Sequence, residues 1–385
     1  MSDRLRLAVL TTGRQDWGLL RPLCTALLGD ATFDLLLLAG GMACSKAFGQ
    51  VSAAMRAEGF EIAREMPWDV EDADASAQAG EALRMTASAL AGLQPDALVL
   101  LGDRFETAAA ALAATIGGIP IVHLYGGEET EGAFDNSLRH AITKMSHLHL
   151  VAHEEYARRV RQMGEDPASV HVVGSLGVDN VRSQRRLSRE QLEALLGIRL
   201  VPPVGVVTLH PSTLGSVPPE QELSSVLGAM QACPATWVVT LPNADPGSEG
   251  IRSAFLAMAS RRRNVVAVAA LGSEAYLGLL DAADFILGNS SSGITEAPAL
   301  GLPTINVGDR QRGRIRGASI LDVSATPEAV IGAIARSQTP EFRRLAREAP
   351  APYDGGDAAA RIAAVLSCWR PPRPPRKIFH APAGN

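Results

Sequence analysis

Short apolar runs recur along the chain, and a cluster of polar or charged residues follows each of them. Runs of this length that are rich in Val, Ile and Leu are typical of strands buried on both faces of a parallel sheet. Stretches rich in Ala and Leu, which predict helices, lie between the runs, and this alternation indicates right-handed βαβ units. The predicted strands are 5–10, 97–101, 119–122, 204–209, 237–241, 285–287 and 304–307, and the predicted helices include 19–28, 73–93, 106–115, 135–145 and 154–163.

The pattern changes between residues 178 and 200. A charged segment there predicts a helix with Ser188 as its N-cap and Glu190 in its first turn. Two consecutive prolines at positions 202 and 203 then precede the next predicted strand. We therefore place a domain boundary in this segment.

The fold class follows from this pattern and from the length, because 385 residues exceed one ordinary hydrophobic core. We predict an α/β protein with two doubly wound, Rossmann-like domains, residues 1–180 and 181–366, and a Pro/Arg-rich tail over 367–385. Ligands bind beyond the carboxyl ends of the strands in such sheets. We therefore expect the active site in the cleft between the domains.

Composition narrows the classes of partner. The formal net charge of −5 gives no reason to expect nucleic acid, which is held by an excess of Lys and Arg. The N-terminal apolar run is too short for a signal sequence, and the uncharged segment 107–127 is interrupted by glycines and a proline, so we expect a cytoplasmic protein with no membrane partner. The four cysteines are isolated, and no acid or cysteine cluster completes a metal site with His147, His149 and His153. We expect no bound metal.

The first half of the chain carries a concentration of acids. Asp103 lies where a predicted strand turns into a helix, which suits either a catalytic carboxylate or an ordinary N-cap. The glycine-rich segment that follows the next strand adds further acids. Carboxylates that share one cleft raise one another's pKa, as general acids and bases near neutral pH require. The residues of this segment are His123, Glu128, Glu129, Glu131 and Asp135.

The second half carries residues suited to a phosphate group. The segment 288–293, GNSSSG, opens a predicted helix and would present free backbone N–H groups and the positive end of the helix dipole. Such composition is also ordinary for a loop, but Arg310 and further arginines follow closely and favour a diphosphate. Glu296 could accept hydrogen bonds from a ribose, or it could simply complement the helix dipole. Arg14 is a second residue that could neutralise the charge of a phosphate. His210 follows a predicted strand, and a lone histidine at such a position is more often structural than catalytic.

With these residues identified, the chain resembles the hydrolysing UDP-N-acetylglucosamine 2-epimerases over nearly its whole length. The resemblance rests on GDRFE (102–106) and on the segments 123–152, 173–180, 242–247 and 288–314. It implies a glycosyltransferase-B-like fold, a UDP-sugar substrate, no cofactor and no catalytic metal. It also implies a homodimer or homotetramer and a two-step reaction through a 2-acetamidoglucal.

The same resemblance implies roles for individual residues. Asp103 matches the first catalytic carboxylate of the family, Asp135 the acid of the glycine-rich loop, and His210 a histidine near the diphosphate. The positions that match the nucleotide-binding set are Arg14, Asn243, Asp245, Ser290, Ser291, Glu296 and Arg310.

One position departs from the family pattern. Family members often carry an acid two residues after the loop histidine, whereas Tyr125 occupies that position here. A phenol is a poor base at neutral pH because its ordinary pKa is near 10. Either Glu128 or Asp135 then takes the base role, or Tyr125 reflects another sugar, such as UDP-2,4-diacetamido-2,4,6-trideoxyglucose. A non-hydrolysing 2-epimerase would return the UDP-sugar intact, but the segment 130–149 resembles the hydrolysing branch more closely. The acids argue against a UDP-sugar-dependent glycosyltransferase, and Asp103, Asp135 and His210 argue against a non-catalytic UDP-sugar sensor.

Overall fold

The computed structural model describes residues 4–46, 49–68, 74–131, 134–212, 214–242, 247–269 and 271–381. The strands are β1 (Leu5–Thr11), β2 (Phe33–Gly40), β3 (Ile62–Met66), β4 (Ala97–Leu101), β5 (Ile121–Leu124), β6 (Leu148–Val151), β7 (Val170–Val172), β8 (Val204–Thr208), β9 (Thr236–Thr240), β10 (Val265–Val268), β11 (Phe285–Gly288), β12 (Thr304–Val307) and β13 (Ile320–Val323). The α-helices are α1 (Arg14–Leu28), α2 (Val51–Ala57), α3 (Ala75–Leu93), α4 (Phe105–Ile116), α5 (Asp135–Met145), α6 (Glu154–Gln162), α7 (Leu176–Ser183), α8 (Arg189–Leu196), α9 (Pro219–Ala232), α10 (Ser248–Arg261), α11 (Ser273–Ala282), α12 (Ser292–Ala299), α13 (Pro327–Ser337), α14 (Pro340–Glu348) and α15 (Ala358–Cys368).

These elements form two compact units. The first unit comprises Met1–Glu128, Asp135–Asp179 and Gly355–Asn385, and the second comprises Glu129–Phe134 and Asn180–Asp354. Each unit contains one parallel sheet with helices on both faces. The α/β prediction of two Rossmann-like domains is confirmed.

The first unit is built on a seven-stranded sheet of order β3-β2-β1-β4-β5-β6-β7. Side chains alternate along β1, as the two-residue period of a strand requires. Leu7 and Val9 pack into the core that contains residues of α1, whereas Ala8 and Leu10 pack on the opposite face with residues of α3 and α4. Burial on both faces explains why the strand is a continuous apolar run.

The second unit repeats this plan with a six-stranded sheet of order β10-β9-β8-β11-β12-β13. Val207 packs on one face with residues of α9 and α13, and Val206 packs on the other with residues of α8 and α11. In each sheet the strand order reverses beside the unit's first strand, between β1 and β4 and between β8 and β11. Ligands of doubly wound sheets bind at the carboxyl ends of the strands at such a switch point.

The seven predicted strands agree with the structure, but the buried strand β6 and the largely buried β2 are not among them. All the predicted apolar runs are strands, and they correspond to β1, β4, β5, β8, β9, β11 and β12. Ser188 caps α8 as predicted: its hydroxyl accepts a hydrogen bond from Gln191 N–H at 3.3 Å, and the Gln191 side chain accepts one from Ser188 N–H at 2.9 Å. The apolar-run pattern does not detect the edge strands β3, β7, β10 and β13, because solvent reaches part of each.

The predicted end of the second domain needs a correction. The division in the structure falls after Asp179, but α15, which was expected within domain 181–366, belongs to the first unit. Its Ile362 and Leu366 are buried in the core that also holds Leu23 and Leu27 of α1. The tail also lies on the first unit, where Lys377 donates a hydrogen bond to Glu165 at 2.5 Å. The chain therefore returns to the first unit after the second, and the apolar side chains of α15 are buried there.

Candidate active site

Asp103 lies at the carboxyl end of β4 in the first unit, at the switch point of the sheet. Its carboxylate accepts a hydrogen bond from Arg139 on α5, and the two side chains form an ion pair. The N-cap position of α4 belongs to Arg104, which makes no capping bond with its side chain. The interpretation of Asp103 as a helix cap is therefore wrong, and its partner is a buried cation.

Arg139 connects several parts of this region. Its side chain is almost completely buried, with an exposed fraction of 2%. The guanidinium donates to the carbonyl oxygen of Glu128 at 2.9 Å and to Oδ1 of Asn136 at 3.0 Å. A buried guanidinium is stabilised only when its donors are satisfied and an opposite charge is near. Arg139 thus fixes both Asp103 and the start of the acidic loop.

The acids of that loop are divided between the two units. Glu128 is buried in the first unit, whereas Glu129 and Glu131 belong to the second. Glu131 lies beside the 310–316 turn: its N–H donates to the carbonyl of Arg312 at 3.1 Å, and its carboxylate is 3.8 Å from the Arg312 guanidinium. The sharing of one cleft by these carboxylates stays a prediction.

A second charged group surrounds the Asp103 loop. Arg104 forms an ion pair with the buried Glu106 at 3.0 Å. Asp16, on the first turn of α1, is buried and accepts hydrogen bonds from the Thr12 N–H at 2.8 Å and hydroxyl at 2.5 Å. Burial raises the pKa of Asp16, while the Thr12 hydrogen bonds and the charge of Arg104 oppose that increase.

His123 on β5 is a fixed neutral histidine. Its Nε2 lies 2.8 Å from the carbonyl of Gly102, so this nitrogen carries the proton, and Nδ1 lies 3.1 Å from the Thr143 hydroxyl. Burial lowers the pKa of His123 to about 3. The ring therefore orients the turn that carries Asp103 and does not exchange protons near pH 7.

Tyr125 is held in an unusual backbone conformation. Its φ of 68° lies in the left-handed region, which bulky residues rarely adopt. The phenolic oxygen accepts a hydrogen bond from the N–H of Leu176 at 2.8 Å, at the start of α7, and lies 3.3 Å from the Ser175 hydroxyl. Tyr125 therefore connects β5 to α7 by a hydrogen bond, which occupies one lone pair of its phenolic oxygen.

Two further predicted residues lie in the first unit. Asp135 is the first residue of α5 and is partly buried, one helical turn before Arg139. Arg14 is the first residue of α1, directly after the loop that follows β1. Arg14 is thus in a different unit from the other described residues predicted to bind the nucleotide.

In the second unit, His210 and Asn289 meet across the switch point between β8 and β11. The side-chain oxygen of Asn289 accepts from the His210 N–H at 2.8 Å, and its Nδ2 donates to the His210 carbonyl at 2.8 Å. Asn289 is completely buried. The amide thus fixes the backbone of His210 at the carboxyl end of β8.

The predicted phosphate loop surrounds the start of α12. Ser291 occupies the N-cap position without a capping bond from its side chain, and the Ser290 hydroxyl accepts from the N–H of Ser292 at 3.3 Å. Glu296 is partly buried on the same helix and accepts a hydrogen bond from Thr295. The helix dipole and the N–H groups of this turn suit an anion.

Arg310 lies beside the same loop. Its guanidinium donates to the carbonyl of Asn289 at 3.1 Å, and the buried Gln311 donates to the same oxygen at 2.8 Å. The structure therefore brings together His210, Ser290 and Arg310 through Asn289. Asn243 and Asp245, also predicted to contact the nucleotide, lie outside the described residues.

The three histidines considered for a metal make separate contacts. His149 Nε2 lies 2.9 Å from Glu165, His147 Nε2 lies 3.3 Å from the Pro375 carbonyl, and His153 caps α6. In the described ranges, no group of three or more His, Cys, Asp or Glu residues is arranged to hold a metal ion. No helix in the described part of the chain is long and apolar enough to cross a membrane.

Sequence reasoning missed three residues of these networks. Arg139 follows Asp135 by one turn of a predicted helix, a spacing that can signal a pair on one helix face. Asn289 lies inside the Gly/Ser segment and was treated as loop. Glu222 on α9, which accepts a hydrogen bond from Asn289 at 3.2 Å, lies in a charged stretch that looks solvent-exposed, so no signal marks it.

Comparisons with known proteins agree with this architecture. A family model described as UDP-N-acetylglucosamine 2-epimerase matches residues 25–367. The chain is 33% identical over 355 residues to the polysialic acid biosynthesis protein P7 of Escherichia coli, covering 90% of each chain. It is 35% identical over 327 residues to a hydrolysing GDP/UDP-N,N'-diacetylbacillosamine 2-epimerase of Campylobacter jejuni, covering 84% of this chain and 85% of that one.

A solved structure shows the same fold. The UDP-GlcNAc 2-epimerase of Neisseria meningitidis, determined bound to UDP-GlcNAc, superposes with a TM-score of 0.80 at 17% identity, covering 94% of this chain and 99% of that one. The family match spans most of the chain, and both relatives exceed 30% identity over more than four fifths of it. The chain belongs to the UDP-N-acetylglucosamine 2-epimerase family of enzymes.

Proposed function

We propose that this enzyme is a hydrolysing 2-epimerase that converts UDP-N-acetylglucosamine to N-acetylmannosamine and UDP. The observation that carries the proposal is Asp103 held by the buried Arg139 at the switch point of the first sheet. A sensor or a glycosyltransferase has no need for a carboxylate anchored in this way beside further acids. The resemblance to the hydrolysing branch over residues 130–149 supports release of UDP.

The proposed reaction has two steps. In the first, the bond from C1 to the UDP oxygen breaks, the C2 proton passes to a base, and a C1–C2 double bond forms. In the second, water adds its oxygen to C1, and C2 receives a proton on the opposite face. Asp103, ionised beside Arg139, would stabilise the positive charge that develops at C1 as UDP departs.

Asp135 is the better candidate for the C2 base. Glu128 is only 4% exposed, whereas Asp135 is partly exposed on the first turn of α5. Tyr125 is a poor candidate because its oxygen already accepts the Leu176 N–H. In the proposal Tyr125 shapes the loop, and the proton transfers fall to the carboxylates.

UDP binding is assigned to the second unit. The N-terminus of α12, with Ser290 and Ser291, and the guanidinium of Arg310 supply donors and positive charge for the diphosphate. His210 assists at the diphosphate, Glu296 accepts from the ribose, and Arg14 adds a positive charge. Asn243 and Asp245 complete the nucleotide contacts by the resemblance alone. A homodimer or homotetramer and a cytoplasmic location stay predictions.

A second substrate has a specific observation in its favour. The Campylobacter jejuni relative, at 35% identity, is named for N,N'-diacetylbacillosamine and for hydrolysis. Tyr125, at a position where the family often has an acid, is consistent with a change of sugar. UDP-2,4-diacetamido-2,4,6-trideoxyglucose is therefore the alternative substrate.

A product assay in deuterated water separates these possibilities. Both UDP-sugars are supplied in parallel, and the products are identified by mass spectrometry and NMR. We expect free UDP and N-acetylmannosamine carrying deuterium at C2 from the first substrate. If only the diacetamido sugar is turned over, that sugar is the substrate in place of UDP-N-acetylglucosamine. A product that still carries UDP would contradict hydrolysis. If the enzyme turns over neither sugar, the proposal is refuted.

Asp103→Asn tests the central residue. The amide keeps the size of the side chain but loses its charge, so we expect turnover to fall by about 100-fold or more while UDP affinity changes little. Asp34→Asn is the matched control, because Asp34 forms an exposed ion pair with Arg6 on the same sheet. Weakened UDP affinity with normal turnover would contradict the role given to Asp103.

A further inference from the structure

Glu222 is a buried carboxylate that the proposed reaction does not use. It lies on the first turn of α9 and has no exposed surface, whereas Glu220 on the same turn is exposed. Burying a carboxylate costs free energy unless hydrogen bonds or charges compensate. The contacts of Glu222 should therefore show what compensates the cost of its burial.

Those contacts are neutral donors. The Ser212 hydroxyl lies 3.0 and 2.9 Å from the two carboxylate oxygens, and Asn289 Nδ2 donates to Oε2 at 3.2 Å. Gly308, with a φ of 75°, packs against Oε1, and a Cβ at that position would overlap the oxygen. The surrounding chain therefore leaves room for this carboxylate and supplies it with two donors.

Through Asn289 the carboxylate reaches the nucleotide residues. Both Nδ2 protons of Asn289 are used, one on Glu222 and one on the His210 carbonyl, while Oδ1 accepts from the His210 N–H. Turning the amide by 180° would set its oxygen against the carboxylate and the carbonyl. Glu222 thus reinforces the amide orientation that the backbone of His210 also requires.

The same asparagine carries the Arg310 contact. Its main-chain carbonyl accepts from the Arg310 guanidinium at 3.1 Å, so a shift of Asn289 moves the position on which Arg310 docks. His210 and Arg310 therefore both hydrogen-bond to Asn289, and the Asn289 side chain in turn donates to Glu222. A displacement of about 1 Å in such a network is enough to weaken a site.

We propose that Glu222 is a positioning residue that orients the Asn289 side chain and thereby sets His210 and Arg310 for the diphosphate of the nucleotide. The inference rests on the proposed function, which places the diphosphate at these two residues. Glu222 does not touch the substrate in this account. Its effect passes through hydrogen bonds that are all within the second unit.

The primary test is UDP affinity of the full chain, measured by titration calorimetry. We expect Glu222→Ala to weaken UDP binding by about tenfold or more, since Asn289 loses an acceptor and its side chain is then held by His210 alone. Glu222→Gln should stay within about threefold, because its amide oxygen still accepts from Asn289 and its nitrogen can donate to Ser212. Glu220→Ala is the matched control and should bind UDP as the unaltered protein does. Equal affinities of Glu222→Ala and Glu220→Ala would overturn the inference.

A paired exchange tests the contact even if Glu222→Ala does not fold. Asn289→Asp sets a second carboxylate against Glu222 and should weaken UDP binding by tenfold or more. Adding Glu222→Gln should recover part of that loss, because the glutamine nitrogen can donate to the new carboxylate. Independent effects would overturn the inference, since residues that act through one contact are not additive.

The outcomes for the two proposals are distinguishable. Binding of UDP without turnover of either sugar would refute the proposed function and leave the positioning role standing if the variants behave as expected. Failure of the unaltered protein to bind UDP would overturn the positioning role as well.

Discussion

Asp103 in the first unit and Glu222 in the second each belong to a largely buried network beside the switch point of a parallel sheet, but their partners differ. Asp103 receives the guanidinium of Arg139, a full positive charge. Glu222 receives a hydroxyl from Ser212 and an amide from Asn289, and Arg310 acts on it only through its charge. The carboxylates near the switch points of two similar sheets are thus stabilised by different chemistry.

The difference has a consequence for protonation. Burial and the nearby Asp309 raise the pKa of Glu222 to about 7, against the hydrogen bonds of Ser212 and Asn289 and the charge of Arg310. An ion pair with a buried guanidinium acts in the opposite direction, because it favours the ionised carboxylate. The first network thus pairs its carboxylate with a full positive charge, and the second contains a carboxyl group whose pKa is raised toward neutrality.

Arg139→Met should break the first network and have the largest effect. Removing one partner of a buried pair leaves Asp103 uncompensated, so we expect a loss of about 3 kcal/mol in the free energy of unfolding. Turnover should fall by about 100-fold, because the carboxylate and the acidic loop lose their anchor. Denaturant unfolding and steady-state kinetics measure the two effects.

Arg158→Met is the control for that variant. Arg158 pairs with Glu155 on the exposed side of α6, and surface pairs of this kind contribute little to stability. Similar losses in the two variants would contradict the distinction between the buried and the exposed pair. Full activity of Arg139→Met would show that the reaction does not depend on the Arg139 side chain.

Lys377→Met extends the comparison to the other end of the first unit. Glu165 is buried there and accepts from His149, Lys144 and Lys377. Burial alone would raise the pKa of Glu165, but these three donors lower it to about 2. We expect the variant to lose about 1–2 kcal/mol at pH 7, because two of the three donors remain.

The pH dependence of that loss follows from the sign of the shift. A depressed carboxyl pKa stabilises the fold above its ordinary value near 4.5, and this stabilisation disappears as the pH falls toward 2. The difference between the unaltered protein and Lys377→Met should therefore shrink below pH 4.5. A difference that is constant from pH 7 to pH 3 would show that Lys377 acts through packing alone.

The comparison also shows what sequence patterns can reveal. Buried strands and the polar residues after them are periodic and local, so the sheets, Asp103, His210 and the loop at Ser290 were predicted from the chain alone. Partners such as Arg139 and Glu222 come from helices distant in sequence, and only the packed fold brings them to Asp103 and Asn289. The return of α15 to the first sheet was missed for the same reason, because an apolar helix face does not specify which sheet it covers.

Glu222→Gln should sharpen the comparison from the second network, through stability and not through binding. The folded-state pKa near 7 lies above the ordinary value of 4.5, so the folded chain holds a proton that the unfolded chain has lost between these two values. Stability contributed by this group therefore falls as the pH rises from 4.5 to 7 and stays low above 7. Glutamine does not titrate, so we expect the free energy of unfolding of the variant, relative to the unaltered protein, to increase by about 2–3 kcal/mol from pH 5 to pH 8. Other titrating groups such as Asp16 cancel in this difference, and chemical denaturation at the two pH values measures it. A difference that does not change with pH would place Glu222 in the same class as Asp103, as a carboxylate whose charge the fold has already compensated.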